Sequence, residues 1–303
     1  MRKQFAQTIF KTLDDDPLAA ILIGDISHYL LKEVEEKFPN RFYNMGICEQ
    51  SLIGMASGMA SMGNKPIVHT IAPFCVERAF EQIKVDLCYQ KTDVTIVSVG
   101  SSFDYASLGC THHCYEDISI LRSLPNMQVF VPGSSAEFDY LFKKTWGNGS
   151  PKYFKLSAKE HNLKTLIEPF EATVIREGTG KNLLFVCGHL LEETTMASSD
   201  DTIIYVPTLS YLSDGSKKTI CEYALKHKNI ITIEENSVIG GLGDEIFNIL
   251  CEGKVRLPDR FEKIGVPHKF LNKYGNAAQH RKALGLDIRG IKEKINVERQ
   301  NEL

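Results

Sequence analysis

The sequence predicts an α/β fold of two domains, each a mostly parallel sheet flanked by helices, on three observations. Short β-branched runs alternate with longer amphipathic stretches, the pattern of repeated βα units. The strand candidates are near-continuous apolar runs with little alternation, as expected where helices cover both faces of a sheet. A polar break over 157–180 divides these runs into two series.

In chain order, the first series is LAAILIGD (18–25), KPIVHTI (65–71), DVTIVSVG (93–100), MQVFVPG (127–133) and KYFKL (152–156). The second is NLLFVCGH (182–189), TIIYVPTL (202–209), NIITIEE (229–235) and FEKIGVP (261–267). Parallel neighbours need long crossovers. Helices are accordingly expected at 27–38, 49–62, 76–90, 115–124, 134–146, 215–227, 241–252 and 287–297. The break itself is polar, SAKEHNLKTLIEP ending in proline and REGTGKN carrying turn residues. It sets the expected domains at 1–165 and 175–303.

Composition bounds the function classes. A chain of 303 residues accommodates about two domains. Hydrophobic residues make up 43% and charged ones 24%, which excludes a disordered or collagen-like chain. Lys plus Arg total 35 against 38 for Asp plus Glu, so nothing electrostatic calls for nucleic acid or an anionic membrane as partner. MRKQFAQTIFKTLDDD lacks the apolar core of a secretion signal, and no apolar run approaches the ~18 residues of a spanning helix. The expected location is cytoplasmic. The eight cysteines lack the paired spacing of a disulfide framework, and buried reduced thiols are expected.

Four segments bear on chemistry. In RFYNMGICEQSLIGMASGMASMGNKP (41–66), Glu49 opens a helix rich in Gly54, Ala56, Gly58 and Ala60. Glycine costs roughly 1 kcal/mol relative to alanine in a helix, so such a stripe makes sense where another backbone or a ligand approaches. From this segment alone, Glu49 reads first as a carboxylate favoured by the helix dipole. In HTIAPFCVERAFEQIKVD (69–86), Phe74 falls in a loop after a strand, available for packing or for a ligand. In SLGCTHHCYEDISILRSLPNMQVFVPGS (107–134), Gly109 and Thr111 mark a turn, and Glu116 and Asp117 enter a helix. The Cys110, His112, His113, Cys114 cluster lacks two separated ligand pairs, so no metal is expected there. ITIEENSVIGGLGDEI (231–246) is a strand followed by a glycine-rich turn, without dinucleotide-binding spacing.

Taken in order, these segments resemble the C-terminal part of transketolases, a pyrimidine-binding domain followed by the transketolase C-terminal domain. MGICEQSLIGMASGMASMGNKP, HTIAPFCVERAFEQIKVD, GCTHHCYEDISILRSLPNMQVFVP and TIEENSVIGGLGDEI carry the likeness, and the tail FEKIGVPHKF…LGLDIRGIKEKI completes it. 1-Deoxyxylulose-5-phosphate synthases and the β subunits of 2-oxo acid dehydrogenase E1 components share the same domain pair. The resemblance implies thiamine diphosphate chemistry. Glu49 matches the glutamate that hydrogen-bonds the aminopyrimidine ring and controls its tautomer, and Phe74 matches the aromatic residue stacked on that ring. Ile71 is a neighbouring wall, and Asp25 is assigned to the cofactor. His112 matches a histidine that orients substrate oxygens, and His28 is assigned to substrate.

Departures matter as much. The family holds the diphosphate and Mg²⁺ through a G-D-G…N domain, whereas here Gly24–Asp25 is followed by Ile26 and Gly243–Asp244 by Glu245. The resemblance therefore implies a partner chain carrying that domain, in an α2β2 assembly. Leu108 stands where the family has an aspartate for the donor hydroxyl, and Gly100 where it has a histidine. Ala158 or Lys159 falls near a phosphate-binding arginine, and His113 and Tyr115 are candidates to line the altered pocket. Losing the hydrogen-bonding acid disfavours polyhydroxylated ketoses. The implied reaction is transfer of a two-carbon ketol or acyl unit between carbonyl compounds. An E1-type or 1-deoxyketose synthase-type β subunit using pyruvate or another 2-oxo acid is the second reading, and a non-catalytic assembly subunit the third.

Overall fold

The computed structural model describes residues 1–297; positions 298–303, which the expected second domain includes, lie outside them. In the first half α1 (Arg2–Asp15) precedes β1 (Ala19–Ile23), α2 (His28–Lys37), β2 (Phe42–Asn44), α3 (Glu49–Ser61) and β3 (Lys65–Ile71). There follow α4 (Ala72–Val76), α5 (Phe80–Gln82), β4 (Thr95–Val99), α6 (Asp117–Arg122), β5 (Gln128–Phe130), α7 (Ser135–Thr145) and β6 (Lys152–Lys155). These strands form one parallel sheet in the order β2-β1-β3-β4-β6-β5.

The second half contains β7 (Thr173–Arg176), β8 (Asn182–Val186), α8 (Leu191–Ala197), β9 (Thr202–Tyr205), α9 (Asp214–Ala224) and β10 (Asn229–Ser237). It ends with α10 (Leu242–Glu252), β11 (Arg260–Val266), α11 (Ala277–Ala283) and α12 (Ile288–Asn296). Its sheet runs β11-β10-β8-β9-β7, and only β7 is antiparallel, to β9. The α/β class with two mostly parallel sheets is therefore as the sequence predicts. The apolar runs divide by alternation between the two faces of each sheet. Leu22, Val68, Ile96 and Leu183 enter one core cluster, while Ile21, Ile67, Val97 and Leu184 enter the other.

Several elements differ from the expectation. The N-terminal segment is a helix burying Phe5, Thr8, Ile9 and Leu13, a 3.6-residue period. The helix expected at 76–90 begins at Ala72 with Pro73 in its first turn, breaks after Val76, and passes into a π-helical turn at Ile83–Tyr89. Phe74 thus sits in a short helix rather than a loop. The strand expected at 182–189 stops at Val186, because Gly188 turns the chain at φ +64. Four cysteines are buried, three are exposed and Cys221 lies between, all of them free.

Polar groups lock the two halves together. Lys155, fully buried at the end of β6, donates to Asp117 at 2.7 Å and to Asn236 of β10 at 2.7 Å. Tyr153 donates to the other oxygen of Asp117 at 2.6 Å. Arg122 of α6 donates to the carbonyl of Leu209 at 2.7 Å and to Glu245 of α10. Backbone pairing adds Val131 N–H to Pro207 O at 2.7 Å and Leu209 N–H to Val129 O at 2.9 Å. The Ser102 hydroxyl donates to the carbonyl of Glu235, whose carboxylate meets His189 at 2.6 Å and both nitrogens of the Arg281 fork.

Burial alone would lift the Glu235 carboxyl, but the charge and hydrogen bonds of His189 and Arg281 outweigh it and hold it at about 2. A carboxyl more acidic folded than unfolded stabilises fully above the ordinary value of 4.5, and that stabilisation is lost as pH falls toward 2. Glu235→Gln should therefore cost about 3–5 kcal/mol at pH 7, as expected for breaking a buried ion pair. In urea unfolding the gap from wild type should narrow steadily below pH 4.5. A gap constant down to the acid limit would contradict this assignment.

Candidate active site

The residues singled out in the first half follow the C-terminal ends of its parallel strands, where open α/β sheets bind ligands. Asp25 follows β1, Glu49 follows β2, Ile71 and Phe74 end and follow β3, and the segment from Gly100 to His112 follows β4.

Glu49 is the first residue of α3 and only 1% exposed. Its Oε2 accepts a hydrogen bond from Arg78 Nη1 at 2.7 Å, whereas its buried Oε1 has no donor among the described residues. A buried carboxylate oxygen left open is costly unless a ligand or partner supplies the hydrogen bond. The glycine stripe of α3 has a similar openness. A Cβ at Gly58 would meet nothing within 4 Å, and one at Gly54 only the Asp86 carboxylate at 3.8 Å. No neighbour among the described residues requires those glycines.

Arg78 is a residue that sequence reasoning misses. It lies four residues beyond Phe74, in the turn after α4, and its guanidinium stands 4.5 Å from the centre of that ring. One arginine thus ties the Glu49 carboxylate to the Phe74 ring. The signal in the sequence is the four-residue spacing of Phe74 and Arg78, which brings the two side chains together only where the chain coils as α4 and the turn after it do.

Phe74 is half-buried and meets the ring of His112 edge-on at 5.2 Å, and His112 meets Tyr105 at 6.3 Å. Thr111 Oγ1 shares a hydrogen bond with His112 Nδ1 at 2.9 Å, which leaves Nε2 available. Gly100 lies against Tyr105 at φ +77. A Cβ there would fall 2.6 Å from the Tyr105 ring and 3.1 Å from Ile71, so this arrangement admits only glycine. Glu49, Arg78, Phe74, His112, Tyr105, Gly100 and Ile71 form one continuous group.

The remaining candidates divide. Leu108 is 54% exposed on the 3-10 turn Ala106–Leu108, just before Gly109, which Tyr274 of the second half covers. Asp25 accepts from His28 Nε2 at 2.8 Å and Asn44 Nδ2 at 3.1 Å; chiefly the His28 contact, then Asn44, holds its carboxyl below the ordinary range. Asn44, another residue not anticipated, also takes the amides of Asp25 and Gly46 on its Oδ1. Beneath this cluster His69 bridges the Val97 carbonyl at 2.8 Å and Ser27 at 2.9 Å, and burial lowers its imidazole to about 4.

His113 and Tyr115 are each 4% exposed and pack with Phe103; His113 also packs with His280 of α11, in the seam between the halves. They are not part of the open group around His112. Lys159 pairs with Glu193, and the Ala158 amide donates to Asp104, whose carboxyl burial raises to about 6. Among the described residues no cluster of three or more His, Cys, Asp or Glu could hold a metal, and no helix is long and apolar enough to cross a membrane.

Known proteins resemble the chain along nearly its whole length. Residues 1–163 match the family described as "Transketolase, pyrimidine binding domain" and residues 191–291 match "Transketolase, C-terminal domain". An uncharacterized 33.6 kDa protein of the fasciation locus of Rhodococcoides fascians is 31% identical over 96% of this chain and 92% of its own length. An apulose-4-phosphate transketolase subunit of Actinobacillus succinogenes is 30% identical over 84% of each chain. A 1-deoxy-D-xylulose-5-phosphate synthase of Dehalococcoides mccartyi is 28% identical over 96% of this chain, which spans 47% of that enzyme. Among solved structures, a split-gene transketolase described as an inactive β4 tetramer superposes with a TM-score of 0.84 at 27% identity, covering 97% of this chain and 96% of the other.

Arg78→Ala should leave the Glu49 carboxylate buried without its only partner among the described residues, at a cost of about 1–3 kcal/mol at pH 7. Arg78→Lys should recover part of that cost by restoring the charge without the planar fork. Urea unfolding of the three proteins checks this; identical midpoints for Arg78→Ala and wild type would show that the pair does not hold Glu49.

Proposed function

The chain belongs to the transketolase family, and from that premise we propose that it is the β-type subunit of a split, thiamine diphosphate-dependent transketolase-like enzyme. The reaction is transfer of a two-carbon ketol or acyl unit between carbonyl or sugar substrates. One observation carries the reading: the open, buried Oε1 of Glu49, whose other oxygen shares Arg78 with the half-buried Phe74 ring. This donor-seeking oxygen and aromatic face suit an aminopyrimidine, which offers N–H groups at its edge and a π surface.

When bound, thiamine diphosphate supplies the electron sink for breaking and making carbon–carbon bonds beside a carbonyl. This chain's residues then have distinct tasks. Arg78 fixes one oxygen of Glu49, so that the other is presented in a single orientation for sharing a proton with the pyrimidine ring. Phe74, backed by Arg78 and walled by Ile71, supplies the stacking surface. His112, with Nδ1 engaged by Thr111, turns Nε2 toward substrate oxygens and can donate to them as charge develops. Asp25, Asn44 and His28 form a polar cluster at the neighbouring strand ends.

In this reading the diphosphate and Mg²⁺ are held mainly by a partner chain with a G-D-G…N domain, in an α2β2 assembly. Two relatives of similar length support a split enzyme: one is named as a subunit of a transketolase and the other as a split-gene transketolase. The latter, described as inactive when assembled from β chains alone, fits a subunit that needs its partner. A cytoplasmic location goes with this reading.

For the donor, the glycine enforced at position 100 and the exposed Leu108 remove two polar contacts, which favours a donor with fewer hydroxyls or a modified sugar phosphate. The same substitutions favour, as second reading, a 1-deoxyketose synthase-type or E1-type β subunit using pyruvate or another 2-oxo acid. The likeness to 1-deoxy-D-xylulose-5-phosphate synthases over 96% of the chain supports that alternative.

In the enzyme reconstituted with its partner, Glu49→Gln should lower turnover by about 10²–10⁴-fold, the range of a positioned proton-transfer group. Unchanged turnover would favour a non-catalytic assembly role. Separately, the reconstituted enzyme should turn over xylulose 5-phosphate more slowly than a deoxy, modified-sugar or 2-oxo acid donor. Equal or faster turnover of xylulose 5-phosphate in steady-state assays would sink that expectation.

A further inference from the structure

A cavity of about 680 Å³ opens on the second half of the chain, at the C-terminal end of β11 and between α11 and α12. It lies at the carboxyl edge of the sheet, where α/β folds place ligands, and its volume suits a small metabolite. Five cations line it, Lys263, Lys269, Lys282, Arg289 and Lys294, against two carboxylates. Two of the cations are neutralised, Lys263 by Asp244 and Arg289 by Glu293. Asp287 is occupied as the cap of α12, accepting from the Gly290 amide at 2.9 Å.

Three cations are left without a bonded carboxylate. Lys269 and Lys282 have no side-chain partner among the described residues, and Lys294 donates only to the Leu284 carbonyl at 2.6 Å. Lys294 is half-buried, and burial holds its ammonium below the ordinary value despite the nearby Glu262. Its outer stem lies beside Gly285, whose φ of +63 favours glycine, with Lys294 Cε 2.9 Å from where a Cβ would stand. A partly desolvated ammonium whose bonded partner is a neutral carbonyl oxygen is costly until an anion joins it.

We propose that this cavity binds a small phosphate-bearing molecule, held by Lys269, Lys282 and Lys294. Three separate ammonium groups on flexible stems suit the dispersed oxygens of a phosphate ester or diphosphate better than a single planar carboxylate. The apolar lining by Pro267, Ala283 and Leu284 leaves room for the body of the molecule. Asp287 fills the first turn of α12, so the lysines, not the helix end, carry the charge recognition.

The test titrates inorganic pyrophosphate into the full chain by calorimetry, against sodium chloride of matched ionic strength. Saturable binding to one site is expected. The Lys269→Ala/Lys282→Ala double variant should bind about tenfold more weakly or worse, the loss of at least one charge-assisted contact. Both lysines are exposed, and an unchanged melting temperature without pyrophosphate will show that the variant is folded. Lys269 and Lys282 lie outside the group around Glu49, so weaker binding by the double variant separates this site from the proposed active site. Absence of saturable heat, heat reproduced by chloride, or equal affinity in the double variant would overturn the proposal.

Discussion

The half-satisfied carboxylate of Glu49 is the constraint around which the site is organised. One oxygen is committed to Arg78, and the other is buried without a donor. Such an atom is costly to bury, and a ligand, partner or water that completes the hydrogen bond offsets that cost. Because Arg78 also covers Phe74, the pair that orients the carboxylate positions the aromatic surface as well. The edge contact of Phe74 with His112 carries that order to the loop after β4.

That loop is in turn held by the seam between the two sheets. Its strand-proximal residue Ser102 is bonded to the backbone of Glu235, and Cys114, just beyond His112 and His113, gives its carbonyl to Lys155. Lys155 is fully buried and reaches Asp117 and Asn236 together, one residue in each half. The second half therefore acts on the site at a distance, by fixing the ends of the segment that carries His112. His113 shows the division of labour between adjacent residues: His112 faces the open group, while His113 packs against Phe103 and His280.

Much of this is legible in the sequence. Strands buried on both faces leave long apolar runs, so β1, β3, β4, β5, β6, β8, β9, β10 and β11 stand out, and the small-residue helix opening at Glu49 is plain. What escapes is short or marginal. β2 has three residues, β7 is a half-buried edge strand, and α8 and α11 have seven residues each, too few for a clear period. α1 is hidden for another reason: its charged opening draws attention to a possible leader and away from its apolar face. Arg78, Asn44 and Arg281 escape notice because each gains its role from a partner distant in sequence, Glu49, Asp25 and Glu235.

The central claim concerns a single atom, Glu49 Oε1. The most direct measurement is a structure of the chain assembled with its diphosphate-binding partner, thiamine diphosphate and Mg²⁺. The expected result is a pyrimidine ring stacked on Phe74, with a ring nitrogen about 2.7–2.9 Å from Oε1, the length of a charge-assisted hydrogen bond. A cofactor bound elsewhere, or Oε1 satisfied by a partner side chain with Phe74 uncovered, would contradict it.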